Sequence, residues 1–498
     1  MRPIAFVTIS VLFSGLAVAQ TAPAPTTPPN EAGLGEFVVT GTKAEHVTKL
    51  AVLPSWAPDL EDVIVRSVVR RDLELSGMFD IIPDAKAPTG SYYFEDPVDI
   101  DAWKKIGAEV VVKVAARKTS DGKVEVFGLA FFPSHGKEPV YERRFQTPSD
   151  ELRMTSHRVT DALLGAITGR PGGFSSRFGF STKWGKGRRL FVMDADGEGL
   201  SGVTDPDLTC IAPAWGPDHS LFYLESRNYA PFRMMAFTGT GSQRIELPFK
   251  TSIYAVAFHP DKKTVAVAVA EDARSLIYVG TLDGRDWKKV SNTELATSPA
   301  YSPSGKLAWI GGGAKQGTQR VYVDGKAVSP DGYTAAQPTF CDTEDGVRLV
   351  YSVAVGNDRQ DLVMSDEAGR GLARLTQGQG SNYAPACSPD GRLLAFFSTR
   401  KNSPGLQMMS LKRFTTLRVN GQLGDSLDWA RRPDSKGFVE LKVVKPAPPA
   451  AAPPAAAPPP AAAPPAAAPP AAAPPAPAPA PRQPTPAPGA PPPVTKGR

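Results

Sequence analysis

The sequence predicts an α+β N-terminal domain followed by an all-β six-bladed propeller, with a disordered Pro/Ala-rich C-terminal tail. Three observations carry this. A short phrase recurs through the second half, centred on Trp215, Phe258, Tyr301, Phe340, Cys387 and Trp429 at spacings of 43, 43, 39, 47 and 42 residues. A repeat of that length fits one four-stranded blade, and six registers imply six blades. The chain before the phrases mixes helical and strand periodicities. The chain after them is Ala-Ala-Ala-Pro-Pro-like low complexity, which cannot bury enough apolar surface to fold.

Residues 1–19 read as a secretory signal. Arg2 supplies the positive start, Ile4–Val18 is mostly apolar, and Ala17-Val18-Ala19 is a small-x-small cleavage site before Gln20. An uncleaved anchor is the alternative, but the apolar run is shorter than the ~20 residues a span needs. Residues 20–35 form a Pro/Thr/Ala leader, disordered by composition.

A small α/β domain is expected over 36–173. Phe37–Thr40 and Val47–Leu53 read as strands. Asp59–Ser76 reads as a helix, with Val63, Ile64, Val68, Val69 and Leu73 at helical spacing and Gly77 as its stop. A short strand at Phe79–Ile82 and a short helix at Asp99–Ile106 follow. Then come strand-like runs at Glu109–Ala115, Lys123–Phe132 and Val140–Phe145. A last helix runs from Pro148 or Ser149 to Ile167, with Asp150 and Glu151 at its positive end.

The propeller is expected over 174–444 and the tail over 445–498. Each phrase would be an inner strand, followed by a Pro-Asp or Pro-Asp-Gly turn and three more strands. One repeat supplies these at Leu393–Ser398, Leu406–Leu411 and Thr415–Val419. The last phrase lacks downstream partners. A composite blade resolves this, with Trp429 on the inner strand and Phe178–Thr204 supplying the outer three, which leaves few exposed edges. The tail favours an extended polyproline rod, either a passive spacer or an attachment to the cell-wall mesh.

The net charge is +6 with pI near 9.0, but the basic residues are scattered, which argues against nucleic-acid binding. Cys210, Cys341 and Cys387 each lie near a phrase. They read as small buried apolar residues, with a disulfide as the alternative; an odd number leaves at least one unpaired. No Gly-x-Ser-x-Gly elbow and no His-Glu-x-x-His pattern occurs. The five histidines are far apart. His219 and His259 sit in turns after the phrases. Asp194–Gly197 lacks the later ligands of a calcium loop. These absences leave the common catalytic and metal classes unsupported, so no enzyme activity and no cofactor is expected.

The run Asp72–Phe79 in the first half and the recurring phrases from Trp215 to Trp429 in the second, in that order, together resemble the TolB family, periplasmic propellers of the Tol–Pal envelope system. The run Asp72-Leu73-Glu74-Leu75-Ser76-Gly77-Met78-Phe79 is similar to the family's Asp-Leu-x-x-Ser-Gly-x-Phe signature. Ser156–Asp161 resembles part of its last helix, and Thr168–Phe174 its domain-closing Thr-Gly-x-x-Gly-x-Phe segment. Asn382–Arg400 is the best match to its Trp-Ser-Pro-Asp-Gly repeat. From the residues themselves, Asp72, Ser76, His157 and Asp161 read as capping and packing positions.

The resemblance implies a non-enzymatic periplasmic scaffold that supports outer-membrane integrity and cell division. It implies a Pal-like peptidoglycan-associated lipoprotein at the channel mouth and a TolA-like inner-membrane protein at the mature N-terminus. The tail adds a possible peptidoglycan contact. The loops entering the inner strands would carry the Pal-like site, with Thr251, Ser252, Tyr254, Glu294, Thr297, Tyr333, Asn382 and Tyr383 as its residues. Tyr254, Tyr333 and Tyr383 are the expected anchors, since tyrosine buries a large area and keeps a polar tip. The leader carries no recognisable TolA-binding segment, and the long tail is not a usual family feature. A glycan- or small-ligand-binding propeller sensor is the alternative function.

Overall fold

A computed structural model describes residues 46–441, apart from 56–58, 91, 94–95, 314–315, 357–358 and 434–436. The expected signal segment, the leader, the strand at Phe37–Thr40 and the tail lie outside the described residues. The described residues fall within one compact unit, Met1–Val443.

The first domain is a mixed sheet. Strands β1 (Lys49–Val52) and β2 (Asp80–Ile81) are parallel, and β1 is also parallel to β3 (Val110–Lys118). Antiparallel β4 (Val124–Phe131) and β5 (Tyr141–Thr147) extend it. Alternation sends successive side chains to opposite faces. Leu50, Val52, Val110 and Val112 enter the core that includes helices α1 (Leu60–Leu75) and α3 (Leu152–Thr168). Ala51, Leu53 and Val111 instead meet Trp103 of α2 (Ile100–Lys105). Helix α1 buries Val65, Val68, Val69 and Leu73, a helical stripe; Val63, expected on it, is 49 % exposed. Gly77 and Gly169, at φ 62° and 83°, stop α1 and α3 in the left-handed region where a Cβ is costly.

The chain returns to this sheet at its end. Strand Val439–Leu441 pairs antiparallel with β5 and covers its edge. The Phe438 ring stacks on Phe145, and Glu440 pairs with Arg143. The free edge of β5 offers this segment a ladder.

The rest is β-structure in sequential antiparallel sheets. Four sheets have four strands each, and their innermost strands are Ile253–Phe258, Ala296–Tyr301, Ala335–Thr343 and Asn382–Cys387. A further sheet has eight strands. In it Ser426–Arg431 pairs with Ser176–Trp184, register Trp429 to Phe178, so the end of the chain completes a sheet begun by its earlier strands. Trp429 packs on Phe178 at 4.6 Å and donates from Nε1 to Ser176 Oγ at 2.7 Å.

The recurring phrase has a backbone meaning. Ala212, Ser298, Gln337 and Ala384 all sit at φ 50–51°, each just before a proline. A proline cannot donate to the ladder and excludes its predecessor from the right-handed helical region. The strand bulges there, and the register shifts at every one of these positions.

The cysteines depart from the expectation of three small buried apolar residues. Cys341 and Cys387 form a disulfide, with Cα atoms 5.4 Å apart. Inner strands of adjacent sheets converge, so two slots 46 residues apart in sequence become neighbours. Cys210 alone fits the expectation, buried and free.

The family-like motif residues hold the domains together. Asp161 accepts from the backbone N–H groups of Phe174 and Ser175 at 2.7 and 2.9 Å, fixing the exit from α3. Asp72 on α1 accepts from His157 Nδ1 and Thr160 Oγ1 on α3, both at 2.8 Å. His157 Nε2 stands 3.9 Å from Asp196 of the β-structure.

Candidate interaction face

The inner strands run from an open mouth to the first domain. Strand Ser426–Arg431 shows this directly: Ser426 and Leu427 line the mouth, while Arg431 donates to the carbonyl of Gly172 at 3.1 Å. The mouth is a cavity of about 290 Å³ walled by every inner strand, including Pro213, Tyr254, Pro299, Pro338 and Pro385.

Gln337 spans the mouth. Its Nε2 donates to the carbonyl of Asp425 and its Oε1 accepts from the N–H of Ala384, both at 2.8 Å. This residue was not among the expected site residues. Its signal was a side-chain amide in a slot where the other repeats carry alanine or serine.

A larger groove of about 710 Å³ adjoins the mouth. Lys183, Lys186, Arg188, Asn228 and Tyr229 line it together with Ser252 and Tyr254. Tyr229 is fully exposed and Tyr254 is 42 % exposed. The Tyr254 ring lies 6.4 Å from Phe232 and borders both hollows. Arg188 pairs with Asp425 at the boundary between them.

The expected site residues divide. Thr251 and Ser252 flank Tyr254; the Thr251 carbonyl accepts from Arg233 at 2.6 Å, and Ser252 Oγ accepts from the Phe232 N–H at 3.2 Å. Glu294 is exposed, and Thr297 is half-buried opposite Ile310. Tyr333 is half-buried against an apolar cluster. Tyr383 packs 6.0 Å from Phe397, and burial raises its hydroxyl pKa. Asn382, expected on the surface, is fully buried. Its Nδ2 faces Asp361 Oδ1 and the Gly380 carbonyl, each at 3.4 Å, because its strand position points inward to the buried Asp361–Arg374 pair.

The turn histidines are structural. His219 Nδ1 lies 3.1 Å from the Arg431 carbonyl, and His259 meets the Tyr301 ring edge-on at 4.8 Å. Asp72, His157 and Asp196 bring three ligand-type atoms within 4.8 Å of one another. Arg153 occupies Asp196 at 2.5 Å and the carboxylates raise the His157 pKa, so the group reads as a charge network rather than a metal centre.

Comparison with known proteins agrees with this architecture. Residues 164–425 match the family model described as TolB beta propeller domain, and residues 38–128 match TolB amino-terminal domain. A "Tol-Pal system protein TolB" from a Polaromonas species is 29% identical over 190 residues. A protein of the same description from Polaromonas naphthalenivorans is 29% identical over 189 residues. Each alignment takes in 38% of this chain and spans 43% of the relative's length. The crystal structure of TolB from Acinetobacter baumannii superposes with a TM-score of 0.65 at 22% identity, over 78% of this chain and 97% of that one, a likeness of fold. With one family model covering more than half of its length and a second covering most of its first domain, this chain belongs to the TolB family.

Proposed function

We propose that this protein is a non-enzymatic periplasmic scaffold of the Tol–Pal type. It is delivered by a signal peptide cleaved near Ala19-Gln20. It binds a Pal-like peptidoglycan-associated lipoprotein at the channel mouth and supports outer-membrane integrity and cell division. In this reading the β-structure is a six-bladed propeller, with the eight-stranded sheet counted as two blades joined at the Arg188–Thr209 bridge. The domains run 36–173 and 174–444, with the strand Val439–Leu441 of the second lent to the sheet of the first. A TolA-like inner-membrane protein engages the leader, and the tail reaches peptidoglycan.

The observation that carries the proposal is the position of Tyr254. It is the exposed aromatic shared by the channel mouth and the adjoining groove, on the end of the strands away from the first domain. A half-exposed tyrosine over a concave, partly cationic surface suits a protein partner. Calorimetric titration with the soluble domain of the same organism's Pal-like lipoprotein tests it. Saturable one-to-one binding supports the scaffold, and no heat from a folded sample contradicts it.

A further inference from the structure

A second cavity, of about 580 Å³, lies where the end of α1 meets the β-structure. That is within the usual range of small-molecule sites, about 300–1,000 Å³. Met78 of the first domain forms one side, and Met364 and Phe414 add apolar wall. Arg348, Arg392 and Lys412 bring three cationic side chains to the same hollow, and Glu344 and Asp345 bring two carboxylates, so the lining keeps a net positive charge.

Arg392 is the informative residue. Its side chain is only 9 % exposed, yet none of its three guanidinium nitrogens has a hydrogen-bond partner among the described residues. Glu344 Oε1 stands 3.6 Å from Nε, too far for a hydrogen bond, on a side chain that is 52 % exposed. A buried guanidinium is costly unless its charge is paired and its donors are used. Nor can the turn easily withdraw it. Gly391, at φ 73°, sits so close to the neighbouring sheet that a Cβ would fall 1.8 Å from the Asp342 carbonyl. The backbone of Arg392 is held by Leu411, whose N–H donates to it at 2.9 Å.

We propose that this cavity binds a small organic anion, whose carboxylate or phosphate head pairs with Arg392 and whose apolar part rests on Met78, Met364 and Phe414. A planar fork of donors matches either head group. The ligand would touch both domains, since Arg413, beside the cavity, donates to the Gly77 carbonyl at 3.0 Å. This site is separate from the channel mouth and does not depend on the Pal-like partner.

The test titrates the full chain with N-acetyl-leucine, acetate and inorganic phosphate, with neutral N-acetyl-leucinamide as the control. N-acetyl-leucine is expected to bind saturably and at least tenfold more tightly than acetate, and the amide not measurably. Phosphate binding more tightly than acetate would assign a phosphate head; the reverse would assign a carboxylate. Arg392→Gln should weaken the best probe at least tenfold, and Glu344→Gln should leave it intact or tighten it. If Arg392→Gln does not fold, Arg392→Lys keeps the charge and loses the fork, and should weaken binding severalfold. Absence of binding by every probe to folded wild type, or equal binding by the amide or by an Arg392 variant, would overturn the proposal and leave Arg392 as the partner of Glu344.

Discussion

Asp72 and His157 face each other at 2.8 Å between helices α1 and α3, and both side chains are fully buried. Burial pushes the Asp72 carboxyl up to about 6, opposed by His157. Burial also acts to lower His157, but the carboxylates of Asp72, Asp196 and Asp194 outweigh it and raise its pKa to about 9. The surrounding carboxylates thus favour the protonated imidazole.

The raised histidine sets a pH dependence. Its folded-state pKa lies above the unfolded value of about 6.5, so the native state holds the extra proton. That stabilisation is complete below about pH 6.5 and is lost as pH rises through about 9. Urea unfolding at pH 6.5, 8 and 9.5 should show a falling midpoint in the wild type. His157→Gln should flatten this slope while costing about 3–5 kcal/mol, because it leaves Asp72 buried without its partner. A wild-type midpoint that does not fall over this range would refute the assignment.

The disulfide predicts a thiol count. Native protein should resist alkylation, since burial raises the Cys210 thiol to about 12 and the other two sulfurs are joined. Denatured, unreduced protein should take up one label, and reduced protein three. Reduction should lower stability by about 2–4 kcal/mol. Three labels without reductant would mean that Cys341 and Cys387 are free.

Gln337 predicts a local effect. Gln337→Ala removes two hydrogen bonds that tie three inner strands at the mouth. The expected cost is about 1–2 kcal/mol by denaturant unfolding, from about 0.5–1.5 kcal/mol per bond. Gln337→Glu should cost at least as much, because a carboxylate cannot donate to the Asp425 carbonyl. A neutral effect of both changes would mean that water replaces these bonds.

Local periodicity made much of the fold legible. The stripe Val68, Val69 and Leu73 located α1, and the orphan phrase at Trp429 required the distant partner that Phe178 provides. What stayed hidden depends on side-by-side packing of distant segments. Cys387 fills a phrase's central slot and Cys341 follows the corresponding slot at Phe340, but nothing in a linear repeat says that the two side chains converge. Asn382 begins a strand and reads as a loop residue, yet its facing is set by Asp361 of the neighbouring sheet. The return of Val439–Leu441 to β5 carries no signal beyond a short β-prone run. At the mouth, Tyr254 was readable as an exposed aromatic in a loop, whereas the roles of Gln337 and Arg392 depend on neighbours 45 to 90 residues away.

The most direct test of the central claim is a calorimetric titration of wild type and Tyr254→Ala with the Pal-like lipoprotein domain, alongside denaturant unfolding of both. The account predicts one-to-one binding by wild type and at least tenfold weaker binding by the variant, with unfolding free energies within about 0.5 kcal/mol of each other. Equal affinity in a folded variant would contradict it and move the partner site away from the channel mouth.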